Sequence, residues 1–338
     1  MFFMKKFFGK AVSILLVVAM VAGMSIFASA QDKLVYACLG DSNAAGYRTT
    51  GYVDSRIPAP NAYHSIIAEA LDAELIAGAV SGFRTDELRY MLEPDYVLDW
   101  TYFTNPLMEP TLKGVRLLGT IQNCKADDNQ IKAVEAADVI TVQVGVNDFL
   151  CDALGSGYDE LSKDVAVIDA MKNLFNVFGI LDEAMNEKLD SVAELIRMVK
   201  FVGKFIAKIP EAKADFKENW DAIIKNIYRI NPDVKIVAIS VLNPFSNLRI
   251  TADSEFRVGK LLDSTFEEIN DWIAYDSEYA DTYYYCDITD IELDKTSLDS
   301  DSFKISFIIS THPSDANHKD IAARILKILE TGVDSKVK

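Results

Sequence analysis

The sequence predicts an α/β protein built on a five-stranded parallel sheet, and three observations lead there. Five short runs that read as strands recur along the chain: Lys33–Leu39, Ala73–Ala77, Asp138–Gly145, Val234–Val241 and Thr282–Cys286. Between them lie segments of helical period, such as Phe216, Trp220, Ile223, Ile224 and Ile227, or Ile321, Ile325, Ile328 and Leu329. The run Val139-Ile140-Thr141-Val142-Gln143-Val144 is apolar almost throughout, which suits a strand covered on both faces rather than one. Strands alternating with helices close into a three-layer α/β/α sandwich, helices lying on either side of the sheet.

The elements before the first strand read differently. Lys5, Lys6 and Lys10 precede an unbroken apolar run from Ala11 to Phe27, followed by the small residues Ala28-Ser29-Ala30. That order is the pattern of a signal peptide over residues 1–30, cleaved before Gln31, and it predicts a secreted, extracellular protein occupying residues 31–338. An uncleaved anchor is the alternative, since the run is just short of a spanning helix. No later stretch has the length and apolarity to span a bilayer, so no stable membrane insertion is expected after cleavage. Loss of the three lysines takes the formal charge from −17 to about −20, a surface that repels phosphate backbones and excludes nucleic acid as a partner. Half the residues are hydrophobic, enough for a substantial core and against disorder.

The four cysteines are Cys38, Cys124, Cys151 and Cys286. Cys38 and Cys286 fall inside apolar strands and read as buried thiols. Cys124 and Cys151 flank one strand in polar, loop-like stretches, so a bridge between them and a pair of free thiols are both open. Their spacing suggests no metal site.

The third strand is followed by a long, mostly helical interval, read as an insertion over about 152–212. Within it, Leu189–Ile209 carries Val192, Leu195, Ile196 and Val199 on one face and adds Met198, Phe201, Val202 and Phe205, a stripe too wide for one packing surface. Two uses fit: a cap whose inner face meets an acyl chain, or an extra helix pair packed on the sheet.

The chemistry-bearing residues sit where strands end. The first strand runs into Gly40-Asp41-Ser42, and in an open α/β sheet ligands bind outside the carboxyl ends of the strands. Ala79-Val80-Ser81-Gly82-Phe83-Arg84-Thr85 follows the second strand, Gly145-Val146-Asn147-Asp148 ends the third, Asn243-Pro244-Phe245 follows the fourth, and His312-Pro313 precedes the last helix. Taken together these segments resemble, block by block, the SGNH/GDSL hydrolase (esterase/lipase) family, over most of the chain apart from the helical insertion. The resemblance implies the flavodoxin-like fold of that family. It also implies a serine esterase with Ser42 as nucleophile, His312 as general base, and an oxyanion hole made by the N–H groups of Ser42 and Gly82 and the side-chain amide of Asn147. Such chemistry uses an acyl-enzyme and water, with no metal and no organic cofactor.

Of the other histidines, His64 lies in an apparent helix and reads as packing or surface, and His318 matches a position the resemblance makes structural. The departure is the triad's third member. The family places Asp three residues before the histidine, and here that residue is Ile309, followed by Ser310 and Thr311. The expected partner for the far ring nitrogen is therefore the main-chain carbonyl of Ile309 or the Ser310 hydroxyl, while Asp41, Asp148 and Asp315 are expected to hydrogen-bond nearby backbone or a helix start. The substrate is expected to be a small-molecule, lipid or carbohydrate ester. A binding protein on the same scaffold and an acyltransferase are the competing functions, and the sequence does not specify an oligomeric state.

Overall fold

The structure is a computed structural model, and it describes residues 33–100, 114–149, 192–249, 253, 255, 257–297 and 311–336. The signal segment and Cys151 lie outside the described residues, as do Ile309 and Ser310. So do residues 152–191 of the insertion and the side chains of Met198, Phe201 and Phe205.

All five expected strands form. In chain order they are β1 (Val35–Gly40), β2 (Glu74–Ala77), β3 (Val139–Gln143), β4 (Lys235–Ile239) and, further on, β6 (Tyr284–Cys286). They pair in parallel in the order β2-β1-β3-β4-β6, with Tyr36 opposite Val139 and Gly40 opposite Gln143. Two further strands of two residues each, β5 (Leu248–Arg249) and β7 (Thr296–Ser297), pair in parallel as a separate two-stranded sheet. The strand order places a reversal between β1 and β3: the chain leaves β1 for β2 on one side, then crosses to β3 on the other. A crevice opens at the carboxyl ends of strands flanking such a switch point.

Seven α-helices are described: α1 (Tyr63–Ala70), α2 (Thr85–Leu92), α3 (Gly114–Ala126), α4 (Asn129–Ala136), α5 (Val192–Ile230), α6 (Asp263–Asp271) and α7 (Asp315–Thr331). Alternation along β1 sorts them into layers. Ala37 and Leu39 join the main apolar cluster with Leu88 of α2, Val134 of α4 and Phe216, Trp220 and Ile223 of α5. Tyr36 and Cys38 face the other way, where Cys38 Sγ lies 3.3 Å from the Tyr63 hydroxyl of α1, and α1 packs on α7. Because both faces are covered, every residue of β3 is buried, as its near-continuous apolar run predicts.

The helical stripe Phe216, Trp220, Ile223, Ile224 and Ile227 is buried throughout. It belongs to a helix of 39 residues that begins at Val192 and carries Pro210 in its interior, so residue 212 falls within the helix. Cys38 and Cys286 are buried free thiols, as expected. Cys151, the partner in the disulfide alternative, lies outside the described residues; Cys124 is a free thiol. It lies on α3 rather than in a loop, three residues after Ile121, and the helical period turns both inward to the core. Among the described residues, no helix is long and apolar enough to cross a membrane.

Candidate active site

Gly40 ends β1 with φ +143°, a backbone conformation that side chains rarely adopt. It lets the chain turn off the sheet while the N–H of Asp41 still donates to the carbonyl of Gln143 on β3, at 3.1 Å. Ser42 follows at once, half-buried at the carboxyl edge. Its carbonyl accepts from the N–H of Tyr47 at 2.9 Å, closing the loop behind it.

The opposite partner arrives from the far end of the chain. His312 Nε2 lies 2.9 Å from Ser42 Oγ, across a separation of 270 residues. The other ring nitrogen, Nδ1, lies 3.0 Å from Thr311 Oγ1, and Thr311 is buried. Three contacts from the loop after Ser42 hold this turn. The Tyr47 ring packs on the imidazole with centroids 4.8 Å apart and planes tilted by 47°. Arg48 Nη1 donates to the main-chain carbonyl of His312 at 3.0 Å, while its Nη2 pairs with Asp294. The N–H of Thr50 donates to Asp315 Oδ1 at 2.8 Å, at the first residue of α7.

The remaining two expected residues sit on adjoining turns. Gly82 has φ +93° and lies in a turn stitched to β1 by the N–H of Val80, which donates to the Gly40 carbonyl at 2.9 Å. Asn147 is buried on the turn after β3, and its Nδ2 donates to the Phe83 carbonyl at 2.9 Å. Since a primary amide carries two N–H bonds, that contact fixes the amide and leaves a second donor. Just before Gly82, the N–H of Ser81 donates to Ser55 Oγ at 3.0 Å, and the hydroxyls of Ser55, Ser81 and Tyr52 share hydrogen bonds.

Two buried carboxyls brace these turns, as expected of them. Asp148 accepts from the N–H of Thr85 at 3.0 Å and from its hydroxyl, holding the first turn of α2. Asp41 Oδ1 accepts from the N–H of Asn43 at 2.8 Å, and the N–H groups of Ala44, Gly145 and Val146 also surround the carboxyl. Burial pushes the Asp41 carboxyl up to about 7, and those N–H groups work against the rise.

The other two histidines are packing residues. His64 is buried with Nδ1 3.0 Å from the Ala44 carbonyl, and burial lowers its pKa to about 4. His318 accepts the Tyr63 N–H at Nδ1, stacks on that ring at 5.7 Å, and is lowered by burial to about 3.

Ser42 and His312 are thus in contact, and Gly82 and Asn147 stand on turns hydrogen-bonded to one another at the same strand ends. Sequence reasoning named Thr311 only as lacking a carboxylate and passed over Tyr47 and Arg48. The adjacency of Thr311 to the histidine was the signal available for the first; the other two had none.

The model of the GDSL-like lipase/acylhydrolase family matches residues 38–319. Among solved structures, an extracellular lipase from Streptomyces rimosus is similar with TM-score 0.50 and 15% identity, covering 89% of this chain and 100% of that one. A phospholipase A1 from Streptomyces albidoflavus gives TM-score 0.48 and 17% identity, with 89% and 100% covered. A family two carbohydrate esterase from Clostridium thermocellum, in complex with cellohexaose, gives 0.38 and 14%, with 88% and 64% covered. A search of curated protein sequences finds no match.

Proposed function

The chain belongs to the GDSL-like lipase/acylhydrolase family of ester-hydrolysing enzymes, and from that premise we propose that it is a secreted serine esterase with Ser42 as nucleophile and His312 as general base. The observation that carries the assignment is the 2.9 Å contact between Ser42 Oγ and His312 Nε2. A serine hydroxyl is a weak nucleophile until a base takes its proton during attack, and proton transfer requires this kind of separation. The imidazole takes the hydroxyl proton at Nε2 as Oγ bonds to the carbonyl carbon, then gives that proton to the departing alkoxide. Water repeats the sequence on the acyl-enzyme, releasing the acid and restoring Ser42.

Attack places negative charge on the former carbonyl oxygen. The donors proposed for it are the N–H groups of Ser42 and Gly82 and the second N–H of Asn147 Nδ2. Their support is the hydrogen-bonded frame around them, which removes the need to reorganise as charge develops. The substrate class is a lipid, short-chain acyl or carbohydrate O-acyl ester. Export rests on the charged, apolar and small-residue order of residues 1–30.

The test pairs the mature protein with Ser42→Ala, using a fluorophosphonate and a short-chain chromogenic ester. Labelling of Ser42 and turnover lost in the variant support the enzyme. Equal behaviour of the two proteins would instead favour a binding protein on an esterase scaffold.

A further inference from the structure

We infer that Thr311 is the positioning residue of this active site, its hydroxyl accepting the Nδ1–H of His312 where the family uses an aspartate. The inference rests on the reading of Ser42 and His312 just given. For Nε2 to receive the Ser42 proton, the neutral ring must carry its own proton on Nδ1, and that proton needs an acceptor. Thr311 Oγ1 stands 3.0 Å from Nδ1, within ordinary hydrogen-bond length. A hydroxyl has two lone pairs, so it can accept here while its own proton points elsewhere.

A hydroxyl on the preceding residue would be a poor guide if the histidine backbone were loose. Here it is not loose. Arg48 holds the His312 carbonyl, Thr50 holds Asp315, and the Tyr47 ring covers one side of the imidazole. Two acids that meet the loop holding this turn are otherwise engaged: Asp315 with the Thr50 N–H and Asp294 with the Arg48 guanidinium. With the backbone and one ring face fixed, the remaining freedom is rotation of the ring and choice of tautomer. One acceptor at Nδ1 settles both. Thr311 is buried and β-branched, so its hydroxyl has few rotamers in which to stray.

The bond strengthens as the reaction proceeds, because Nδ1–H belongs to an imidazolium when Ser42 attacks. Hydrogen bonds to a charged group are worth more than those to a neutral one, so the effect falls on kcat rather than KM. Thr311→Val keeps the shape and removes the acceptor. We expect kcat to fall roughly ten- to a hundredfold with KM within about twofold of the parent. Thr311→Ser restores the acceptor and should recover kcat to within about threefold.

The experiment measures kcat and KM on a short-chain chromogenic ester for the parent, Thr311→Val, Thr311→Ser, Ser42→Ala and His312→Asn, with melting temperatures as the folding control. In the parent, spectra of 15N-labelled histidine above neutral pH should report His312 as the Nδ1–H tautomer, a readout that needs no variant to fold. Turnover by Thr311→Val at the parent rate overturns the inference, as does loss in Thr311→Ser as deep as in Thr311→Val, or an Nε2–H tautomer. If Ser42→Ala and His312→Asn both retain activity, the nucleophile and base are misassigned, a different failure from the loss of Thr311 alone.

Discussion

Gly40→Ala should cost this protein much of its stability, and the structure says where the cost arises. A Cβ at position 40 would stand 1.9 Å from the Gln143 carbonyl oxygen, 2.7 Å from its carbon and 2.9 Å from Ala44 Cβ. An unstrained carbon–oxygen approach is about 3.3 Å or longer, so β1 and β3 would have to part by more than about 1 Å from a normal spacing of about 4.8 Å. Parting them stretches the bond from the Asp41 N–H to the Gln143 carbonyl, now 3.1 Å. Forced overpacking costs about 1–3 kcal/mol, the disallowed φ about 1–3 and the hydrogen bond about 1, together about 3–7 kcal/mol. At about 2–4 °C per kcal/mol the melting temperature should drop by roughly 6–28 °C. Gly119 supplies the control. It lies inside α3, a Cβ there meets nothing within 4 Å, and Gly119→Ala should raise stability by about 0.5–1 kcal/mol. Differential scanning fluorimetry on the three proteins reads both effects. A Gly40→Ala protein melting within about 2 °C of the parent would refute the claim that β1 and β3 close around a position lacking a side chain.

Three further outcomes are expected. Asn147→Ala should lower kcat by about a hundred- to a thousandfold with little change in KM, and fluorophosphonate labelling of Ser42 should slow in parallel; an unchanged kcat would remove Asn147 from the oxyanion site. Arg48→Met should lower kcat about fivefold without shifting the melting temperature by more than about 2 °C, and Arg48→Lys should stay low, because an ammonium cannot bridge the His312 carbonyl and Asp294 as the guanidinium fork does. His318 has an ordinary pKa of 6.5 unfolded and about 3 folded, so only the unfolded chain takes up that proton as pH falls below 6.5. Its contribution is present above pH 6.5 and lost below it, so stability from urea unfolding should fall about 1.4 kcal/mol per pH unit more steeply between pH 6 and 4 in the parent than in His318→Asn. Equal slopes would mean that His318 is not buried in its neutral form.

The sheet was legible because a strand buried on both faces leaves a near-continuous apolar run: β3 from Val139 onward is interrupted only by Thr141 and Gln143, and every residue is buried. Strand ends were legible for a related reason, since Gly40, Gly82 and Gly145 mark turns where φ is positive. The pair β5 and β7 was not, because two residues cannot display a period. Cys124 was misplaced because Lys125, Asp127 and Asp128 nearby gave a loop-like polarity, whereas α3 continues through it with an inward face. At the site, residues with a fixed type and position were found, while those whose role depends on distant partners were not. Arg48 meets Asp294 across 246 residues, with no local pattern to announce it. Thr311 escaped notice because a neutral acceptor can be any hydroxyl or carbonyl, whereas a missing aspartate is conspicuous.

The hydrogen bonds divide the site into two mechanical parts. The turn after β1 is tied to the turn after β3 by Asp41 and by the Asp41 N–H to Gln143. The β3 turn is tied to the β2 turn twice, by Asn147 to Phe83 and by Asp148 to Thr85, and the β2 turn returns to β1 through Val80 and Gly40. Ser42, Gly82 and Asn147 therefore sit on one closed ring of buried contacts, so a change in that ring should disturb folding and rate together. His312 stands outside it, held by Tyr47, Arg48 and Thr50 from the half-exposed loop after Ser42 and by the buried Thr311 beside it. Contacts of that kind contribute little to global stability but decide where a proton can go, and so the base can be detuned while the fold is left intact.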